Sequence, residues 1–201
     1  GGGDAFLFYV VYGPVDTAAP LSRSKYRSNG LPRGLDLMAY GPKSNPEVPA
    51  SFREGFLWEQ LRATNPILAD TIAAQDSCIV LRGTFPDPEN LNYLRDTVGL
   101  ITHFLDNGGV GVYDPQMFKW WPRDRWRELI FDPAGPVPSH HSVILVSEDS
   151  RDTQWLHTRG LRKFGRPDLS VPQVQESQKD AFVDLCNRFI ELQAFGGIIP
   201  E

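Results

Sequence analysis

The chain has 201 residues and a mass of 22.6 kDa, with 41% hydrophobic and 22% charged residues and a net charge of -5. A chain of this size and composition can bury a core without a metal or disulfide staple, which excludes disorder and fibrous repeats as its overall state. The acidic balance, 20 Lys+Arg against 25 Asp+Glu, weakens a reading as a nucleic-acid binder, because phosphate binding is driven by counterion release at basic surfaces.

Residues 5–12, Ala-Phe-Leu-Phe-Tyr-Val-Val-Tyr, read as a buried strand ended by Gly13-Pro14. Residues 13–50 hold six prolines and read as a long irregular loop with one short strand at Leu35–Tyr40. Within it, residues 14–33 offer little apolar surface to offset ordering entropy, so they are expected to be mobile or ordered by a ligand. Phe52–Ala63 has helical spacing, with Ser51 as N-cap and Glu54 completing a capping box. Asn65-Pro66 starts a short helix with Leu68, Ile72 and Ala73 inward. Cys78–Leu81 is a strand. Asp87-Pro88-Glu89 opens a helix to Asp106, striped by Leu91, Leu94, Val98, Ile101 and Leu105, and its N-terminus accounts for the two acids. Asn107-Gly108-Gly109 stops this helix and Val110–Tyr113 is the next strand. Residues 77–113 thus predict a strand–helix–strand unit at the centre of the sheet, right-handed if its strands are adjacent and parallel.

Asp114–Pro138 is a Trp- and Pro-rich excursion with a short helix near Arg123–Phe131. Ser142–Ser147 and Thr153–Thr158 read as a hairpin around residues 148–152. Residues 160–175 read as irregular. Ser177–Ala194 is a last helix with Phe182, Leu185, Cys186, Phe189 and Leu192 inward, ended by Gly196-Gly197. The expectation is one α+β domain over residues 1–201, a mixed β-sheet with a β-α-β unit and a hairpin and helices packed on it.

Cys78 and Cys186 lie in apolar runs and read as small buried hydrophobes. No Cys-x-x-Cys pair suggests zinc or redox chemistry, so a reducing, cytoplasmic setting is expected. No apolar run approaches the ~18 residues of a membrane-spanning helix. No signal peptide is visible, and the opening Gly-Gly-Gly reads as a trimmed end or tag scar. Gly109-Val110-Gly111 lacks a third glycine, and Gly41-Pro42-Lys43-Ser44 is no phosphate loop. No cofactor and no metal site are therefore assigned.

Two stretches carry a pattern. One runs Leu105-Asp106-Asn107-Gly108-Gly109-Val110-Gly111-Val112-Tyr113-Asp114-Pro115-Gln116, the other Thr158-Arg159-Gly160-Leu161-Arg162-Lys163-Phe164-Gly165-Arg166-Pro167-Asp168-Leu169. Together they resemble a family of uncharacterised bacterial domains that pair a GG-x-V-x-DPQ strand with a T-x-GL-x-x-FG-x-x-[DE]-L segment. The resemblance covers roughly the second half of the chain. It implies an intracellular accessory domain and brings no activity, substrate or catalytic residue with it.

Three groups of residues are candidates for chemistry. A symmetric hairpin register pairs Val143 with His157 and His141 with Arg159. Side-chain alternation then sets His141 and His157 on one face as diagonal neighbours about 7–8 Å apart. Such a pair could hold a metal if a carboxylate joined it, could act as base and orienter, or could sit as buried histidines bonded to carbonyls, the last favoured because no ligand-spacing motif supports the metal. The basic run Arg159, Arg162, Lys163 and Arg166 supplies forks for carboxylate or phosphate, with Gly160 and Gly165 letting backbone amides approach. Internal pairing with the acids that follow is its structural alternative. Trp120, Trp121 and Trp126, interleaved with arginines, suit a protein interface or a lid on the core. The first functional reading is a non-catalytic intracellular module that binds a protein partner through the Trp/Arg excursion and the basic loop. The second is a small enzyme or receptor for an anionic ligand, with His141 or His157 as base and Arg159, Arg162 and Arg166 as clamp.

Overall fold

Ala5–Tyr12 forms β1, the middle strand of a five-stranded antiparallel sheet in the computed structural model, which describes residues 3–196. Its unbroken apolar run follows from burial on both faces. Leu7, Tyr9 and Val11 join one core; Val10 and Tyr12 join the other.

After a short helix α1 (Arg23–Tyr26), β2 (Leu35–Tyr40) occupies one edge of this sheet. The helices α2 (Glu47–Ser51), α3 (Phe56–Thr64) and α4 (Pro66–Ala73) follow, and Trp58, Leu61, Leu68, Ala69 and Ile72 cover the Val10/Tyr12 face. The capping box is not formed: Gly55, at φ +75°, precedes α3, and the Ser51 hydroxyl donates to the Val48 carbonyl at the end of α2. Asn65 does cap α4, its side chain accepting from Leu68 N at 3.1 Å, but Ala69 rather than Ala73 faces inward.

Next come β3 (Cys78–Phe85), α5 (Asn92–Asp106) and β4 (Gly111–Asp114). This is the strand–helix–strand unit, with one correction. β3 and β4 flank β1 and each pairs antiparallel to it, so they run parallel to one another without touching, and the central place belongs to β1. Helix α5 also starts later than its acids suggest, at Asn92, leaving Asp87 and Glu89 in the preceding turn. Residues 114–138 hold a further strand, β5 (Lys119–Pro122), then α6 (Arg123–Trp126) and one π turn, Arg127–Phe131.

A second, three-stranded sheet contains β6 (Val143–Ser150), β7 (Thr153–Arg159) and β8 (Ser170–Gln175), in that order. β8 was not expected, because its polar Ser-Val-Pro-Gln-Val-Gln lacks an apolar alternation. A 3-10 turn, Leu161–Phe164, joins β7 to the segment before β8. The architecture is α+β. Helix α7 (Lys179–Ala194) buries Cys186, Ile190 and Ala194, while Leu185 and Leu192 are 44% and 49% exposed rather than inward. Gly197, half of the expected stop, lies outside the described residues. Among the described residues no helix is long and apolar enough to cross a membrane.

The loop after β1 is not a loose flap. Tyr26 and Ser28 are buried against α5; the Ser28 hydroxyl donates to the Asp96 carbonyl at 2.9 Å, and His103 Nε2 lies 3.2 Å from the Ala19 carbonyl. Gly99 makes this contact possible, since a Cβ there would stand 2.2 Å from the Tyr26 carbonyl oxygen. Helix propensity alone favours Ala over Gly by about 1 kcal/mol. Gly99→Ala is expected to reverse that sign and destabilise by roughly 1–3 kcal/mol through overpacking. A denaturant melt showing a stabilised variant would contradict the contact.

Candidate functional site

The motif stretches meet inside the protein. Lys163, from the 3-10 turn after β7, is 0% exposed and ion-paired with Asp114 at the end of β4. Its ammonium also donates to the His141 carbonyl at 3.0 Å, and the Tyr93 hydroxyl of α5 donates to the Lys163 carbonyl at 2.5 Å. Burial disfavours both charges, raising the Asp114 pKa and lowering that of Lys163, and each partner's charge opposes the effect. Gln116, two residues past Asp114, grips β1 like a strand: its Oε1 accepts from Phe8 N and its Nε2 donates to the Phe6 carbonyl, each at 2.9 Å. Asp168 accepts from Leu161 N and the Thr158 hydroxyl.

The predicted residues therefore separate. Lys163 is a core cation, not part of a surface anion site. His141 precedes β6 rather than lying on it and is fully buried; burial, then the nearby Lys163 charge, holds its imidazole well below its usual pKa. The hairpin register pairs Val143 with Arg159 and Leu145 with His157, two residues from the symmetric expectation. The difference reflects longer strands and a bulge between Glu148 and Ser150. His157 and Arg159, two apart on one strand, share a face whatever the register, with Trp155 stacked on His157 at 4.2 Å. The His141–His157 pairing does not form in this register. Arg166 turns away from the other arginines and donates through Nε to the Gln193 carbonyl of α7 at 3.1 Å.

The tryptophan excursion is core rather than surface. β5 alternates, so Trp121 enters the α5 core with Trp126, and Trp120 enters the opposite core against Trp58 and Tyr113. Trp126 Nε1 donates to the Thr102 hydroxyl at 3.0 Å. Two arginines of the excursion close on Asp106: Arg123 at 3.0 Å and Arg127 at 2.9 Å, beside Lys25 at 3.1 Å and the Tyr26 hydroxyl at 3.0 Å. Burial pushes the Asp106 pKa up, but hydrogen bonds from Lys25, Tyr26 and Arg127 outweigh it and hold the carboxyl down at about 2.

Arg159 and Arg162 remain, and they line one cleft of about 490 Å³. Its apolar walls are Phe6 and Phe8 of β1, Phe52 and Tyr113; Gln116, Glu54 and Asp168 add polar groups. Each guanidinium lies over a ring, Arg159 over Phe118 at 4.0 Å and Arg162 over Phe6 at 5.6 Å. Among the described residues neither arginine has a carboxylate partner, and Arg159 Nε is enclosed without a hydrogen bond. Phe118 holds its place at φ +55°, a region costly for a bulky residue. Gly160 turns the chain between the two arginines at φ +105°, where a Cβ would stand 2.6 Å from the His141 carbonyl oxygen. The cleft's aromatic walls come from three separate segments, each of which reads locally as core or loop, so no local pattern joins them. Of the lining, Tyr113, Pro115 and Gln116 fall in the first patterned stretch and Arg159, Gly160, Arg162 and Asp168 in the second, while Phe6, Phe8 and Phe52 fall in neither.

Among the described residues no group of three His, Cys, Asp or Glu side chains gathers as metal ligands. Comparison with family models, curated proteins and solved structures finds no match to this chain.

Removing one member of a buried ion pair leaves an uncompensated charge. Lys163→Met is expected to cost roughly 3–5 kcal/mol. Combining it with Asp114→Asn, which keeps an acceptor for Gln116 N, should cost less than the sum of the two single variants. Urea melts of all three measure the coupling, and strict additivity would contradict the pair. Asp106 makes a pH prediction. Its folded pKa lies below the ordinary 3.8, so its contribution is present above pH 4 and is lost as pH falls through about 2. Stability should decline over this interval, and the decline should be shallower in Asp106→Asn.

Proposed function

We propose that the chain is a non-catalytic protein-binding module whose docking centre is the cleft at Arg159 and Arg162. It receives a carboxylate-bearing segment of a partner protein. The observation that carries this reading is the pair of arginines without carboxylate partners, set over aromatic rings in one cleft. A ring beneath a guanidinium fixes its plane and leaves its N–H edges free to form a fork with a carboxylate. The apolar walls suit the side chains that flank an acid in a peptide. Glu54, exposed at the same cleft, offers an acceptor to the partner's backbone or to a basic neighbour.

The alternative is a small receptor or enzyme for an anionic metabolite. It has less support, since His141 is enclosed and His157 lines a neighbouring groove, leaving the arginine clamp without a histidine base. The net charge of -5 disfavours nucleic acid as the ligand. A reducing, cytoplasmic place of action is part of the proposal, supported by Cys78 and Cys186 as buried free thiols.

Random peptides displayed on phage and selected on the wild-type protein test the reading. The enriched peptides are expected to share Asp or Glu beside an apolar residue. In calorimetric titration they should weaken by at least about tenfold in Arg162→Ala, equal to about 1.4 kcal/mol. They should also weaken as salt rises from about 50 to about 300 mM. Tight binding of inorganic phosphate or a nucleotide with the same Arg162 dependence would shift the function to a small-anion receptor. Peptides indifferent to both arginines would overturn the cleft as docking centre.

A further inference from the structure

Strand β6 lies at one edge of the three-stranded sheet, and among the described residues no backbone hydrogen bond leaves Val143–Ser150 on the side away from β7. A groove of about 530 Å³ lies against this strand. Its β6 wall includes both Leu145 and Val146. Val143, Leu145 and Ser147 place the groove on the face that β6 shares with His157 of β7, and Val146, which points the other way, brings it round to the strand's open edge. The other wall is Met117, Phe118 and Lys119 at the start of β5, together with Phe56 and Leu57 of α3. β5 is itself the edge of the five-stranded sheet. The groove thus lies between that face of β6 and the start of β5, beside the open edge of β6.

A long, apolar, uncovered edge strand is a liability unless something pairs with it. The first half of β6, Val-Ile-Leu-Val, has no charge, proline or bulge to blunt the edge; Glu148, Asp149 and the irregularity between Glu148 and Ser150 come only in its second half. Phe56, 78% exposed, and Val146, 45% exposed, leave apolar surface on both banks. The ionisable groups on the groove are Lys119, whose ammonium lies 4.0 Å over the Trp121 ring, and His157; no acid lines it. The groove is continuous with the arginine cleft through one contact, because Phe118 lines the groove while Arg159, stacked on it, lines the cleft.

We infer that the partner binds by strand addition: an extended segment pairs its backbone with β6, sets alternate apolar side chains into this groove, and carries acidic groups that meet Lys119 and the Arg159 cleft. The unpaired backbone edge requires an extended occupant, and the acid-free groove beside Lys119 sets its charge. The inference rests on the reading of the chain as a protein-binding module and specifies how the partner is held.

The test uses phage-selected peptides on the intact protein. Each enriched peptide is resynthesised with N-methyl groups on alternate backbone amides, in both registers. Methylation removes backbone donors while keeping every side chain. One register is expected to lose at least about tenfold in affinity, and the native peptide should slow hydrogen exchange of β6 amides. Val146→Lys, at a half-exposed edge position, should weaken binding similarly while leaving the melting temperature near wild type. Peptides that need Arg159 and Arg162 but tolerate methylation in both registers and Val146→Lys would overturn strand addition and leave the cleft reading standing. Peptides sensitive to methylation and to Val146→Lys, yet bound equally by an Arg159→Ala/Arg162→Ala variant, would keep strand addition and remove the cleft. A concentration-dependent dimer abolished by Val146→Lys would assign the edge to a second copy of the chain and overturn the inference.

Discussion

The Lys163–Asp114 ion pair is the point on which the two sheets depend. A lysine and an aspartate out of contact with water each carry a desolvation cost of several kcal/mol, offset only when they meet each other and further hydrogen bonds. Here the pair draws together the end of β4, the turn after β7, the His141 carbonyl and, through Tyr93, helix α5. No apolar contact would specify that geometry so narrowly, since apolar packing is not directional. Four residues of the two motif stretches are therefore structural: Asp114 and Lys163 hold the sheets together, Gln116 clamps β1, and Asp168 fixes the turn.

That pair also decides what its neighbours do. With Lys163 drawn inward, and Gly160 and Gly165 supplying left-handed turns on either side, the 3-10 turn leaves Arg162 exposed at its surface. Arg159 sits on the outer face of β7, where Leu156 and Thr158 take the inner one. Both guanidinium groups settle on aromatic rings instead of carboxylates, which keeps them near the surface and still able to donate. Arg123 and Arg127 illustrate the opposite outcome. Asp106 takes both as ion-pair partners, so neither is left without a carboxylate.

Between the sheets, structure and proposed function share one geometry. A gap lies where β6, at the edge of one sheet, meets the start of β5, at the edge of the other. The arginine cleft opens beside that gap, and the Arg159–Phe118 stack borders both. Pairing with an extended segment would satisfy the backbone groups of β6 and cover Phe56 and Val146 together.

The sequence alone determined the elements whose periodicity is strong: β1, the stripe of α5, the cap of α4, the hairpin and the α+β class. These rest on local physics, on alternation, capping and turn chemistry, which neighbouring residues set among themselves. It did not reveal β8, whose residues are polar and whose strand state comes from pairing with β7. It misread the Trp/Arg run, because adjacent tryptophans look alike in sequence until a strand sends Trp120 and Trp121 to opposite cores. It gathered Arg159, Arg162, Lys163 and Arg166 by proximity along the chain, and only the fold divided them. Burial and long-range pairing made Lys163 a core cation, tied Arg166 to α7, and left two arginines among rings contributed by distant segments. Charge and residue type are written locally; whether a charge meets its partner, and which wall faces it, is a property of chain segments that meet only after folding.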